Sequence, residues 1–233
     1  MATFNCLLGT ISGKVGDVVF RNRGGKVIVA AAPRRRKLEF NPERQKRENK
    51  FAAAAKIGAA INASKYLKQV WKDDCKCYTK PIHNKILKMI YQQLQGDDFN
   101  SLISILPAEG FEVNGSVVCQ KNGFRIKIID YGADVEFDPG KEKFILAAGI
   151  LLSSSPLDIS CPPIQIINLT SNLQAIENKK ESEFSINSCA IVLSQYNSYQ
   201  NNIVHLHLLT LDKNDNVIHY SQRIHSVFVG EVS

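Results

Sequence analysis

Apolar residues change their spacing twice along the chain, and the changes divide it into three stretches. Residues 9–33, GTISGKVGDVVFRNRGGKVIVAAAP, hold two β-rich runs, Asp17–Arg21 and Lys26–Ala30, joined by Gly24-Gly25. Two such runs around a glycine pair predict a hairpin. Alternation puts Val18 and Phe20 on one side and Val19 and Arg21 on the other. A lone two-stranded hairpin is marginal in water, so this one is expected to rest on its own C-terminal domain or on another subunit.

The second stretch repeats at helical spacing. Asn41-Pro42-Glu43 supplies a capping side chain, a preset backbone angle and an acid at the positive end of the dipole, which predicts a helix start. Phe51, Ala54, Ala55, Gly58, Ile61 and Lys65 then recur at intervals of three and four, and the small residues among them allow close approach of another element. A break near Lys72–Lys80 separates this helix from a second over Ile82–Gln95, ended by Gly96. A third, short helix is expected over Asp98–Leu106, stopping before Pro107.

From Phe111 onward the texture is short β-rich runs between turn residues: Ser116–Gln120, Phe124–Ile129, Lys143–Leu152, Ile164–Leu169, Ser188–Ser194, Ile203–Leu211 and Val217–Val229. This spacing predicts an antiparallel immunoglobulin-like sandwich. The fold class is therefore α+β: an N-terminal β-hairpin arm and short helices, then the C-terminal antiparallel immunoglobulin-like β-sandwich. The expected divisions are a basic hairpin arm over 1–40, a helical segment over 41–107 and a β-sandwich domain over 108–233. The Cys…Trp…Cys framework of antibody domains is absent, since the sole tryptophan, Trp71, lies in the helical part, and there is no internal repeat.

Charge sharpens this division. The net +7 is unevenly placed: Lys14 to Lys50 holds twelve Lys/Arg against four Asp/Glu, whereas 101–233 holds nine against fourteen. A molecule polarised in this way pairs its basic end with a polyanion or with the acidic part of a neighbour. The six cysteines, Cys6, Cys75, Cys77, Cys119, Cys161 and Cys189, form no disulfide framework of the small secreted kind, and a reducing compartment is the simpler expectation. No signal peptide is visible and no apolar run reaches the roughly 18 residues of a membrane span. Synthesis in the cytoplasm, with a destination in a virion or another large assembly, is the expected localisation.

The candidate contact residues are the cations Lys14, Arg21, Arg23, Lys26, Arg34, Arg35, Arg36, Lys37, Arg44 and Arg47. They could lie along phosphates, giving binding with a steep salt dependence. No helix-turn-helix, RNA-recognition or zinc-finger pattern reads bases, and only Phe20 and Phe40 offer aromatic stacking nearby. Charge runs are also ordinarily solvated or paired with acidic neighbours.

Other chemistry is sparse. Cys75-Lys76-Cys77 with His83 offers three soft ligands at a spacing unlike the paired motifs of zinc sites, so two free thiols near a loop are the plainer reading. If Asp212–Asn216 is a five-residue hairpin loop with Leu211 opposite Val217, then His205, His207, His219 and His225 share one face. A polar outer face of a half-buried sheet is the ordinary reading, and a metal-binding or pH-responsive surface the sharper one. Gly-x-Ser-x-Gly, His-Glu-x-x-His and the phosphate-cradling glycine loop are all missing. Asp73-Asp74 and Asp97-Asp98 sit beside helix ends as caps. An enzyme, a cofactor and a metal are accordingly not expected.

The N-terminal string G-x-x-S-G-K-x-G-x-x-V-F-R-x-R-x-G-K, followed by a basic stretch and N-P-x-x-x-Q-x-x-x-x-x-F-x-x-A, resembles the start of a loose group of uncharacterised bacterial and prophage-associated proteins. The matching residues are Gly9, Ser12, Gly13, Lys14, Gly16, Val19, Phe20, Arg21, Arg23, Gly25, Lys26, Asn41, Pro42, Gln45, Phe51 and Ala54. The likeness covers roughly the first quarter of the chain, with Glu43 where a small hydroxyl residue is usual. It implies a β-sandwich downstream and no particular activity. Together these features lead to the expectation of a non-catalytic structural or assembly subunit, virion-like or filament-like, self-associating through its basic arm as a homo-oligomer or with other structural subunits. The alternative is a sequence-tolerant nucleic-acid binder using the same arm.

Overall fold

The computed structural model describes residues 3–4, 12–23, 26–32, 41–75, 81–94, 103–108, 110–120, 123–132, 137–176, 182–187 and 197–229. The fold is α+β, with helices and antiparallel sheets. Two compact units partition the chain, Met1–Asn41 and Pro42–Ser233, so the helical stretch and the C-terminal β region belong to one body.

In the first unit, β3 (Val18–Arg23) and β4 (Lys26–Ala31) form the expected hairpin. It is extended on both sides, by β2 (Gly13–Val15) against β3 and β1 (Thr3–Phe4) against β4, into an antiparallel sheet of order β1-β4-β3-β2. Runs of two and three residues are too short to show alternation, which is why the sequence displays only the central pair. Gly16 turns β2 into β3 with φ +57°, an angle that costs a glycine nothing.

The second unit begins with α1 (Pro42–Ala63), starting where the Asn41-Pro42 signal places it. Nothing from Pro42 to Ala52 is buried, whereas Ala53, Ala54, Ile57, Gly58 and Ile61 are. The break comes earlier than expected. Ser64 is extended (φ −74°, ψ 125°), and α2 (Lys65–Asp74) turns Leu67, Val70 and Trp71 into the core. After it α3 (Ile82–Gln93) buries Ile86 and Ile90. Asp74 ion-pairs with Lys85 at 2.5 Å, tying α2 to α3.

The short helix expected over Asp98–Leu106 does not form in its described part. Ile103, Ile105 and Leu106 are buried in a bent segment whose backbone partners are side chains. Ser104 N donates to Gln93 Oε1 at 2.7 Å, and Trp71 Nε1 donates to the Ile105 carbonyl at 3.1 Å. These bonds occupy polar groups that a helix would have paired internally.

Two long strands dominate the β region. Strand β7 (Phe144–Pro156) pairs antiparallel with β11 (Tyr199–Leu211), from Tyr199 opposite Pro156 to Leu211 opposite Phe144. They are flanked by β8 (Ile164–Thr170) and β9 (Gln174–Ala175) on the β7 side, and by β12 (Val217–Tyr220) and β13 (Ile224–Val229) on the β11 side. A separate three-stranded sheet has the order β10-β6-β5, with β5 (Val113–Gln120), β6 (Gly123–Tyr131) and β10 (Ser182–Asn187). The expected run Ser188–Ser194 lies outside the described residues, while β10 just before it has no counterpart in the sequence reading.

Packing orders these elements into three layers. Leu146, Ala148, Ile150, Leu152, Leu209 and Leu211 share a core with the helices. Ile145, Ala147, Leu151, Val204, Leu206 and Leu208 share another with Phe124, Ile126, Ile128 and Phe184 of the smaller sheet. The six-stranded sheet is thus covered on both faces, and β7 is buried at every position from Ile145 to Ser154. Among the described residues no helix is long and apolar enough to cross a membrane.

Candidate functional site

The four-stranded N-terminal sheet has two unlike faces. Register sets Arg23 directly opposite Lys26, Arg21 opposite Ile28, and Lys14 opposite Val19. Opposed residues share a face, and successive residues alternate. Lys14, Arg21, Arg23 and Lys26 therefore all emerge on one side of the sheet, and all four are exposed. The other side carries Val18, Phe20, Val27 and Val29, with Val15 at its margin 69% exposed.

Electrostatics make the cationic face incomplete by itself. Two like charges directly opposite in a ladder destabilise it, and Arg23 with Lys26 is such a pair. Arg21 stands about 6.6–6.8 Å along β3 from Arg23, two residues at strand rise. Among the described residues no carboxylate comes within ion-pair distance of these four side chains. An anionic surface set against this face would lower its energy.

The remaining candidate cations are placed differently. Arg34, Arg35, Arg36 and Lys37 lie outside the described residues. Arg44 Nε bonds Glu48 Oε1 at 2.7 Å along α1, an exposed pair of small energetic value. Arg47 is exposed on the same unburied turns of α1. On that helix, Lys50 Nζ stands 4.6 Å from the Tyr91 ring centroid, and Phe51 meets the same ring edge-on.

The soft-ligand candidate does not assemble. Cys75 is buried at the end of α2 and Cys77 lies outside the described residues. His83 packs its ring against Gly58, where a Cβ would lie 3.6 Å from its Cε1. Among the described residues no three His, Cys, Asp or Glu side chains stand together as a metal set.

The histidines depart from their expected common outer face in two ways. First, His205 and His207 are 1% and 3% exposed. They sit opposite Ile150 and Ala148 on the side of β11 that bears Leu209 and Leu211, which is the face the helices cover. The sequence does not reveal this burial because the helical layer over the sheet is a tertiary feature. Second, Leu211 does pair with Val217, but the register then shifts so that Thr210 faces His219. This bulge at Ile218 turns His219 to the opposite face. His225 stands opposite His205 in the ladder.

The bulge creates a polar cluster that the sequence reading missed. Glu142, 2% exposed, accepts from Thr210 Oγ1 at 2.5 Å and from His219 Nδ1 at 3.0 Å through Oε1, and from Asp138 N at 2.7 Å through Oε2. Three donors satisfy a carboxylate that the interior would otherwise exclude. Its only signal in the sequence is a single acid just before a long apolar run.

His207 is bonded through one nitrogen. Its Nδ1 donates to the Ser221 carbonyl at 2.9 Å, and that carbonyl can only accept, so Nδ1 carries the proton. Nε2 is buried with a bare lone pair and no hydrogen-bond partner. Burial pushes the His207 pKa down to about 4, partly offset by the bond to Ser221 and reinforced by the nearby Arg223 guanidinium. The ring is therefore neutral at physiological pH. Comparison of the chain with protein-family models, with curated proteins and with solved structures finds no match.

Proposed function

We propose that the chain is a non-catalytic assembly subunit, virion-like or filament-like, that associates through its N-terminal sheet. The observation that carries this reading is the two-sidedness of that sheet. Among its described residues only Val27 is buried, so the unit has almost no core of its own. A sheet with so little burial is marginal alone and gains most by covering its apolar side while setting its cations against anions. The net negative charge of residues 101–233 makes another copy of the chain a fitting partner. We read the two facing sheets over 108–233 as an immunoglobulin-like sandwich serving as the body of the subunit.

Light scattering coupled to size exclusion tests this on the full chain and on a version with Val18, Phe20 and Val29 changed to Ser. The expected result is a multimer for the first and a smaller species for the second. Two identical monomers exclude the assembly reading.

The alternative reading is favoured by one observation, the clustering of Lys14, Arg21, Arg23 and Lys26 on a single exposed face. On that reading the sheet lies along a nucleic-acid backbone without selecting sequence. Titration with single- and double-stranded oligonucleotides at two salt concentrations separates the readings, because four neutralised phosphates give a log–log salt slope of about −3 to −4. Absence of binding at low salt removes it.

A further inference from the structure

We propose that β8 is a docking edge for a second copy of this chain. The two β8 strands pair antiparallel about a two-fold axis at Asn168, so that the six-stranded sheet runs on from one copy into the other.

The backbone of β8 is bonded on one side only. Just past its end, Ser171 N donates to the Ala147 carbonyl at 2.8 Å, and Ala147 N donates to Ser171 Oγ at 2.9 Å. Bonded and non-bonded pairs alternate along an antiparallel ladder. Leu169, Ile167 and Gln165 therefore bond to Gly149, Leu151 and Ser153 of β7, and Ile164, Ile166, Asn168 and Thr170 aim their N–H and C=O groups outward. Among the described residues the one group that meets these is Lys56 Nζ, which donates to the Ile164 carbonyl at 3.2 Å. The opposite rim of the sheet is closed. There Phe111 N donates to the Tyr220 carbonyl at 3.0 Å and Gln222 N donates to the Phe111 carbonyl at 2.7 Å.

β8 also lacks the devices that keep an open edge from pairing, which are a charge, a proline, a bulge or extreme shortness. Its seven residues, IQIINLT, run without a register shift against β7. Residues 159–176 contain no Lys, Arg, Asp or Glu. Ile164, Ile166 and Ile167 are only half-buried, and the connections on either side of the strand expose Leu157, Ile159 and Leu173.

The free groups select the register and, with it, the occupant. An axis at Asn168 sets Ile166 opposite Thr170 of the second copy, Asn168 opposite its counterpart and Thr170 opposite Ile166, and each of these pairs exchanges two backbone bonds. An axis at Ile166 would instead oppose Asn168 to Ile164, whose carbonyl Lys56 already occupies. With the axis at Asn168, Leu173 of each copy comes opposite Pro163 of the other, at the root of the loop that exposes Leu157 and Ile159. The strand is thus complementary to itself in both hydrogen bonds and apolar ends, which is what an isologous contact requires. Charge permits it. Ile164 lies opposite position 172, so the two Lys56 sites stand about 27 Å apart along the strands, eight residues at strand rise, well beyond a screening length of about 8 Å. No residue of the N-terminal sheet takes part, so the contact is additional to the one proposed there.

Light scattering coupled to size exclusion tests this in the chain already carrying Val18, Phe20 and Val29 changed to Ser, alone and with either Asn168→Lys or Gln120→Lys added. Asn168 and Gln120 are both exposed, but only Asn168→Lys sets like charges opposite each other at the axis. The expected masses are two copies for the triple variant, two with Gln120→Lys and one with Asn168→Lys. A monomeric triple variant overturns the proposal, and points to the N-terminal sheet if the unsubstituted chain still associates. A dimer undiminished by Asn168→Lys overturns it as well. Amide hydrogen exchange in the unsubstituted chain supplies a readout that depends on no variant: the Ile166, Asn168 and Thr170 amides should slow by about tenfold or more as protein concentration rises. Exchange at these three amides that is indifferent to concentration also overturns the proposal.

Discussion

Gly149 of β7 lies so close beneath His205 of β11 that a Cβ on it would stand 1.8 Å from the His205 carbonyl oxygen and 2.9 Å from Leu206 Cα. Neither neighbour is a side chain that can swing away. Both belong to the central pair of strands, fixed by the ladder on either side. Gly149→Ala should therefore force the two longest strands apart and lower stability by about 3 kcal/mol or more, at the severe end of single substitutions. Urea denaturation followed by circular dichroism checks this, and a change within about 0.5 kcal/mol would show that the strands have slack.

The buried carboxylate makes a second expectation. Glu142→Ala would leave the fully buried Thr210 hydroxyl without its acceptor and the Asp138 N–H without a partner, at a cost of about 2–4 kcal/mol. Substituting the other partner should matter far less. The His219 side chain is 63% exposed, so His219→Ala should cost under about 1 kcal/mol. Equal losses from the two variants, measured by thermal melting, would contradict the view that Thr210 and the Asp138 amide are what hold Glu142 in place.

The turn between β11 and β12 carries a pH expectation. Asp212 Oδ1 accepts from Asn214 N and Asn216 N at 2.8 Å each, and Oδ2 accepts from Asn216 Nδ2 at 3.0 Å. These bonds, the Asn216 side chain foremost, hold the Asp212 carboxyl below its ordinary pKa. A depressed carboxyl stabilises the fold above the unfolded value of about 3.9 and loses that contribution as pH falls through the folded value. The stability difference between the native chain and Asp212→Ala should be constant near neutrality and shrink below about pH 4. A difference that persists undiminished to the lowest pH at which the chain folds would refute it.

How much of this was legible in the residues depended on whether the deciding contact was local. Asn41-Pro42 marks the start of α1, and the alternation of Val18 and Phe20 against Val19 and Arg21 gives the faces of the N-terminal sheet correctly. These signals act within one turn or one strand. The continuous apolar runs of β7 and β11 were recognisable as strands, but not as strands buried on both sides. That depends on helices distant in sequence, and so His205 and His207 read as surface residues although they are interior. The inversion of His219 rests on one extra residue, Ile218, in a ladder that composition cannot resolve. Residues 103–106 read as helix because their spacing allows it, yet Trp71 and Gln93 claim their backbone groups instead.

The double covering of the central sheet has a consequence for how the chain is made. During synthesis β7 leaves the ribosome before β11, its principal partner, exists, and its thirteen residues are largely apolar on both sides. Such a segment is an adhesive edge until it is paired and enclosed. Pairing it with a strand more than forty residues later is a slow, non-local step. Overexpression at high temperature should therefore lose this protein to inclusion bodies at the nascent stage, and slower translation or a chaperone that shields extended hydrophobic segments should recover it.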